Sequence, residues 1–149
     1  MAKNCPVSKA GWHPLKFARL IGSFLLLSAT MRVLIADDDK SVSATLAELV
    51  RRCQHEVVEI VSSGLEAIQA YGRHHPDVVL MDYQMPKLNG ATACRNIMAK
   101  YPEARVILVS GLPRDITGSG ALAILMKPVN LDQLYAALYD AAQSRASAS

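Results

Sequence analysis

The chain has 149 residues, enough for one domain, and 51% of them are hydrophobic while 19% are charged. This composition excludes a disordered, collagenous or low-complexity protein. The formal net charge of +3 comes from residues 1–30, which carry four basic side chains and no acidic one. The rest of the chain is near neutral, which argues against binding nucleic acid through a basic face.

Residues 1–30 differ in composition from the rest of the chain, because basic side chains precede an apolar run at 20–29. Such a leader is typical of a secretory signal, and the run is too short for a transmembrane helix of ~20 residues. The alternative is that Met31 is the true start and the leader is an upstream artefact or a disordered tail. We favour this alternative because the motifs downstream indicate chemistry that belongs in the cytosol. A weak amphipathic membrane contact stays open.

From residue 31 onward, short apolar runs alternate with segments of helical period. Strands this short and apolar, separated by helices, predict a parallel sheet that is buried on both faces. The five predicted strands are Val33–Ala36, Val57–Val61, Asp77–Met81, Val106–Val109 and Ala123–Met126.

The ends of the predicted helices carry recognisable signals. Ser63 and Glu66 form a predicted capping box that begins the second helix, and Gly72 is its predicted end. Asn130 is the predicted cap of the last helix, with Gln133 at the third helical position. The small polar residues 144–149 are expected to fray.

The three cysteines are widely spaced and form neither a disulfide framework nor a zinc-binding pair, which is typical of a reducing cytosol. Cys53 and Cys94 fall on apolar helix faces, so we expect them in the core. Cys5 lies in the leader.

Polar side chains follow the predicted strands. The carboxyl ends of the strands in an open parallel sheet line one crevice, and ligands bind there. We therefore expect several polar groups to meet at this edge. They are Asp37, Asp38 and Asp39, then Ser62 and Ser63, Asp82, Ser110 with Gly111, and Lys127.

Carboxylates that converge on one edge repel one another unless a cation lies among them. Oxygen ligands without histidine favour a hard divalent ion such as Mg²⁺. A cation, a carboxylate, a hydroxyl and an ammonium are the groups needed to handle a phosphoryl group. Asp82 is thus a candidate nucleophile that forms an aspartyl phosphate. Ser110 can donate to a phosphate oxygen, and Gly111 leaves the approach open.

Four motifs at strand ends resemble the receiver domain of bacterial response regulators, the CheY-like superfamily. They are Val33–Asp38, Asp82–Pro86 with Gly90, Val106–Gly111, and Lys127-Pro128. The resemblance covers residues 31–143 and implies a flavodoxin-like α/β fold. This fold is a doubly wound, five-stranded parallel sheet in the order 2-1-3-4-5.

The resemblance also implies roles for the residues at the site. Asp82 would be both the phosphoacceptor and a Mg²⁺ ligand, Asp38 would bind the ion directly, and Asp37 would assist through water. The backbone carbonyl of Gln84 would be a further metal ligand. Ser110 and Lys127, with Gly111 beside them, would hold the phosphate, and the Lys127-Pro128 peptide bond would be cis.

Two departures from the family pattern concern its output face. The segment from Ser110 to Lys127 is shorter than usual, and residues 112–120 hold two glycines, a proline and little helical period. We therefore expect the fourth family helix to be short, distorted or missing. Ile124 stands where many members have an aromatic ring, so the usual aromatic relay is absent.

The expected function is that of a single-domain response regulator in the cytoplasm. It takes a phosphoryl group from a histidine kinase or phosphotransfer protein and switches its binding to an unknown effector protein. We expect no output domain after residue 149, so any effect would pass through another protein, and the near-neutral body of the chain leads us to expect no direct contact with nucleic acid. The chain is expected not to be an enzyme beyond slow self-dephosphorylation.

Two alternatives stay open. In the first, Asp37 and Asp39 begin a motif that resembles haloacid-dehalogenase-type phosphatases, with Asp37 as nucleophile and Asp39 as acid/base. Ser110 and Lys127 would then complete that site. In the second alternative, the chain is a receiver-like binding module that works without phosphorylation, as the unusual fourth-helix region allows.

Overall fold

A computed structural model of the protein describes residues 29–148, which contain five strands and four helices. The hypotheses about a secretory signal or an upstream tail concern the leader, whose residues 1–28 lie outside this part. Within the described part, no helix combines the length and apolarity needed to cross a bilayer. The elements are β1 Arg32–Ala36, α1 Lys40–Arg52, β2 Glu56–Val61, α2 Gly64–His74, β3 Val78–Asp82, α3 Gly90–Lys100, β4 Val106–Ser110, β5 Ala123–Met126 and α4 Leu131–Ala148.

The strands form one parallel sheet in the order β2-β1-β3-β4-β5, which confirms the predicted topology. Every residue of β3 and β4 is buried, as expected for central strands covered on both faces. One apolar cluster packs α2 and α3 on the first face of the sheet, and a second packs α1 and α4 on the other face. The sheet is therefore rigid where its carboxyl edge carries the polar side chains.

The helix that the family has between β4 and β5 is missing here, and the sequence predicted that it would be short, distorted or missing. Residues 111–122 join β4 to β5 through turns and bends alone. Gly118 and Gly120 adopt φ angles of +75° and +80°, a left-handed conformation that interrupts a right-handed helix. As a result β5 is only partly covered, and Leu122 and Met126 are exposed on either end of it. Ile124 is half-buried and packs against the core beneath.

Two details of helix α2 differ from the sequence predictions. Helix α2 continues past Gly72 to His74, and His75 ends it with a φ of 44°. The side chain of Ser63 caps α2 as predicted, but the Glu66 carboxylate accepts its backbone hydrogen bond from the N–H of Ser62. Residues 144–148 continue α4, and Arg145 pairs with Asp77, while the expected fraying of residues 144–149 stays a prediction.

Other local predictions are confirmed. Asn130 and Gln133 cap α4 reciprocally, since each side chain accepts from the other residue's backbone N–H. Cys53 and Cys94 are buried free thiols, and burial raises the pKa of Cys94 to about 11. Such a thiol stays protonated at neutral pH and serves as a core side chain.

Candidate functional site

Three carboxylates meet at the carboxyl edge of the sheet. Asp37 and Asp38 directly follow β1, and Asp82 is the last residue of β3, which pairs with β1. One oxygen from each carboxylate lies within 4.8 Å of the others. Asp37 and Asp82 are buried while Asp38 is exposed, so the cluster opens toward solvent on the Asp38 side.

Lys127 completes this cluster from the end of β5. Its backbone N–H donates to the carbonyl of Ser110, and its peptide bond to Pro128 is cis, as predicted. The ammonium Nζ lies 3.1 Å from Asp37 Oδ2 and 3.2 Å from Asp82 Oδ1. The structure therefore brings the predicted amine between two of the predicted carboxylates.

The charges at the site perturb one another. Burial and the neighbouring Asp37 carboxylate raise the pKa of Asp82, although the hydrogen bond from Lys127 opposes them. Burial by itself would lower the pKa of Lys127, but its hydrogen bonds to Asp37 and Asp82 outweigh burial and the net pKa is raised. One ammonium thus only partly offsets the repulsion among the carboxylates, which leaves the cluster suited to a further cation.

Ser110 lies beside these residues, but its hydroxyl points elsewhere. It is buried at the end of β4, where it donates to the Leu112 carbonyl at 2.8 Å and accepts from the Leu112 backbone N–H. The next residue, Gly111, has free space beside its backbone, because a Cβ at this position would meet no atom within 4 Å. The hydroxyl must leave Leu112 before it can bind a ligand in the cluster.

The loop after β3 holds Asp82 closely. A Cβ on Gly90 would lie 2.2 Å from the carbonyl oxygen of Asp82, so only glycine fits there. The Gly90 N–H donates to the carbonyl of Tyr83, and the Gln84 N–H donates to Asp82 Oδ1 at 3.3 Å. The close approach of Gly90 therefore fixes the backbone of Asp82, from which the carboxylate extends.

Asp39 stands apart from the cluster. Its side chain is the N-cap of α1 and accepts from the backbone N–H groups of Ser41 and Val42. The sequence analysis expected Asp39 to be a cap or surface residue in the receiver interpretation and an acid/base in the phosphatase alternative. Its capping contacts fit the former.

One feature beside the cluster was not predicted from the sequence. A cavity of about 460 Å³ lies next to the acids and is lined by Asp38, Tyr83, Gln84 and Arg114, among others. The guanidinium carbon of Arg114 lies 5.2 Å from the centroid of the Tyr83 ring. The 30 residues between the partners carry no periodic signal that pairs them, so the sequence could not show this contact.

The chemistry of the donor set tests whether a metal fits. All three clustered side chains are carboxylates, and no histidine or cysteine joins them in the described residues. Oxygen ligands of high negative charge suit Mg²⁺, which also keeps part of its water shell. The exposed side at Asp38 leaves room for that water, so the residues fit the ion.

Comparisons with known proteins agree with this geometry. Residues 33–139 match the family model described as the response regulator receiver domain. The chemotaxis protein CheY of Listeria monocytogenes is 35% identical over 118 residues, which are 76% of this chain and 99% of that protein. The transcriptional regulatory protein PdtaR of Mycobacterium tuberculosis is 35% identical over 111 residues, or 72% of this chain and 54% of that protein.

Solved structures share the fold. The CheX-CheY-BeF3-Mg complex from Borrelia burgdorferi contains a chain with a TM-score of 0.70 and 27% identity, covering 74% of this chain and 87% of that one. A response regulator receiver domain protein from Clostridium thermocellum gives a TM-score of 0.74 at 27% identity, covering 80% and 99%.

Proposed function

We propose a function that proceeds from one premise: the chain belongs to the response regulator receiver family. It is accordingly a signal-transduction protein of two-component type. Our proposal is that Asp82 accepts the phosphoryl group. The observation that carries this assignment is the buried Asp82 carboxylate, which ends the central strand β3 and contacts the Lys127 ammonium at 3.2 Å.

In the proposed transfer, a carboxylate oxygen of Asp82 attacks the phosphorus of a phosphodonor. The new phosphorus–oxygen bond forms as the bond from phosphorus to the leaving group breaks, and the leaving group keeps the electron pair. Lys127 neutralises charge on the phosphoryl oxygens, for which it must share or give up its bonds to Asp37 and Asp82. Ser110 leaves Leu112 and donates its hydroxyl to a phosphoryl oxygen, and the open backbone at Gly111 lets that oxygen approach.

Asp37, Asp38, Asp82 and the backbone carbonyl of Gln84 would hold Mg²⁺ in this site. When bound, the ion supplies positive charge that offsets the carboxylates and the transferring group. The support is the shared 4.8 Å neighbourhood of the three carboxylates and the raised pKa of Asp82. Asp38 is exposed, and within the described residues Lys127 bonds to Asp37 and Asp82 rather than to Asp38. The carboxylate of Asp38 is therefore available to the ion.

The partners follow from this chemistry. A histidine kinase or phosphotransfer protein supplies the phosphoryl group, and an effector protein binds the phosphorylated form in the cytoplasm. Phosphorylation acts by shifting the balance between two conformations, and the Ser110 hydroxyl is the first contact to change. The chain itself turns over only by slow hydrolysis of its own aspartyl phosphate. We propose no direct contact with nucleic acid.

Incubation with acetyl phosphate and Mg²⁺, followed by mapping of the modified residue by mass spectrometry, tests this function. We expect one phosphoryl group on Asp82, none in the presence of a chelator, and none on the Asp82→Ala variant. Modification of Asp37 instead would favour the phosphatase alternative. A folded protein that is never modified, and whose affinity for Mg²⁺ is unchanged in Asp38→Asn, would favour the phosphorylation-independent module.

A further inference from the structure

Arg114 occupies an unusual position for a cation. It lies in the segment 111–122 that replaces the missing helix, yet its guanidinium packs over the ring of Tyr83, the residue that follows Asp82. Arg114 and Asp38 line the same cavity of about 460 Å³. The cavity therefore has a positive group on one wall and a proposed metal ligand on another.

The anchor of this arginine is fixed by backbone contacts. Tyr83 donates its backbone N–H to the carbonyl of Val109 and accepts from the N–H of Gly90. The Tyr83 side chain is also partly buried against the apolar cluster on this face of the sheet, and an aromatic face can orient a planar guanidinium. The side chain of Arg114 thus contacts a residue that directly follows the central strand β3, although both residues lie in loops.

The guanidinium has unused hydrogen-bonding capacity. Its Nε atom is inaccessible to water and has no hydrogen-bond partner among residues 29–148. No ion pair of Arg114 with a carboxylate occurs in that part of the chain. A buried N–H without a partner is uncommon, and because Nε is closed to solvent, the terminal N–H groups of the guanidinium are the donors that an anion in the cavity can reach. A fork of N–H donors that faces a cavity is suited to an anion with several oxygens.

Lys127 and Arg114 therefore divide the positive charge of the site. Lys127 is bound by Asp37 and Asp82 inside the cluster. Arg114 borders the cavity without such a carboxylate, so it is the cation available to an anion that arrives from solvent. A phosphodonor that approaches three carboxylates meets repulsion, and a free guanidinium at the entrance offsets it.

We propose that Arg114 binds the phosphoryl group of the incoming phosphodonor in this cavity, before the group is transferred to Asp82. The inference rests on the proposed function and adds a donor-binding residue to it. Binding takes place between the guanidinium N–H groups and the phosphoryl oxygens, and no bond is made or broken at Arg114. Tyr83 is the positioning residue that holds the guanidinium in place.

The test measures the rate of Asp82 phosphorylation against donor concentration, with acetyl phosphate and with phosphoramidate as separate donors. The two donors share only the phosphoryl group. In Arg114→Gln we expect the donor concentration for half-maximal rate to rise about tenfold, the size of one charge-assisted hydrogen bond. The factor should be the same for both donors, and the maximal rate and Mg²⁺ affinity should stay unchanged. Arg114→Lys should recover part of the loss.

Lys100→Gln is the matched control, because Lys100 also lies over a tyrosine ring, 5.4 Å from the centroid of Tyr101, and on a different part of the molecule. It removes one positive charge and one ring contact without touching the cavity, so its half-maximal concentration should equal that of the wild type. Thermal unfolding of each variant checks that the fold is retained.

Three results would overturn the inference. One is an unchanged half-maximal concentration in Arg114→Gln while wild-type Asp82 is phosphorylated, which leaves the proposed function standing. Another is a change confined to the maximal rate, or to only one donor, since neither reports binding of the shared phosphoryl group. Absence of any modification on wild-type Asp82 would reject the proposed function and this inference together.

Discussion

Lys127 should contribute strongly to stability when no divalent ion is present. Its ammonium contacts two carboxylates at 3.1 and 3.2 Å, and the side chains of Asp37 and Asp82 are only 0% and 6% exposed. Removing one partner of a buried ion pair costs about 3–5 kcal/mol, because the remaining charge is buried without compensation. Lys127 is itself 24% exposed, so solvent screens part of the interaction. We therefore expect Lys127→Met to lower the free energy of unfolding by about 2–3 kcal/mol at pH 7.

Urea unfolding in a chelator, at pH 7 and again at acidic pH, measures this loss. The difference between variant and wild type should shrink in acid, since the pKa of Asp82 is raised and its carboxylate takes up a proton first. It should also shrink when Mg²⁺ is added, because a bound cation replaces the missing ammonium. Lys100→Met, at an exposed position of α3, should change stability by less than about 0.5 kcal/mol. A Lys127→Met protein as stable as the wild type in chelator, or indifferent to Mg²⁺, would refute the reasoning.

Three further predictions concern the neighbouring residues. Because the pKa of Asp82 is raised above its ordinary value of 3.8, the native state binds that proton more tightly than the unfolded state, and its ionisation lowers stability as the pH rises past 3.8. Without Mg²⁺, Asp82→Asn should therefore be more stable than the wild type at pH 7, and the difference in free energy of unfolding should decrease in acid. Chemical denaturation at several pH values measures this difference, and a difference that does not change with pH would count against the prediction. Gly90→Ala should lower the free energy of unfolding in urea by about 2–3 kcal/mol, because its Cβ would lie 2.2 Å from the Asp82 carbonyl oxygen. Gly111→Ala has open space around its Cβ and should be close to neutral. Equal effects of the two substitutions would contradict the packing argument. Asp39→Ala should lose about 1 kcal/mol of stability with its N-cap but keep phosphorylation of Asp82, as mass spectrometry would show, while Asp39→Asn keeps both. Loss of Asp82 phosphorylation in Asp39→Asn would contradict the assignment of Asp39 as a cap alone.

The meeting of the acids could be predicted from sequence because it follows from strand ends, whereas the order of the strands was implied by the resemblance to receiver domains. An apolar run that stops at a polar residue fixes where a strand ends, and parallel pairing then brings those ends to one edge. Asp37, Asp82 and Lys127 were found in this way. The missing helix was predictable for a related reason, since Gly118 and Gly120 interrupt any helical period in a short segment.

Side-chain orientation was not predictable to the same degree. The hydroxyl of Ser110 donates to the backbone carbonyl of Leu112. Serine side chains often bond to nearby backbone groups, and this tendency was the one signal in the sequence for the observed orientation. The predicted end of α2 at Gly72 was wrong. Glycine can stand inside a helix whose neighbouring residues are buried, and His75 is the residue that adopts the left-handed conformation at the end of α2. The Tyr83–Arg114 contact depends on tertiary packing between two loops, and no local pattern encodes it.

The most direct measurement of the central claim is a crystal structure of the protein with Mg²⁺ and beryllofluoride, an analogue of a phosphoryl group. The account predicts beryllofluoride on Asp82, with the ion at about 2.0–2.1 Å from oxygens of Asp38 and Asp82. Lys127 should then contact the analogue, and the Ser110 hydroxyl should have left Leu112. Beryllofluoride on Asp37, or an ion bound away from these carboxylates, would contradict the account.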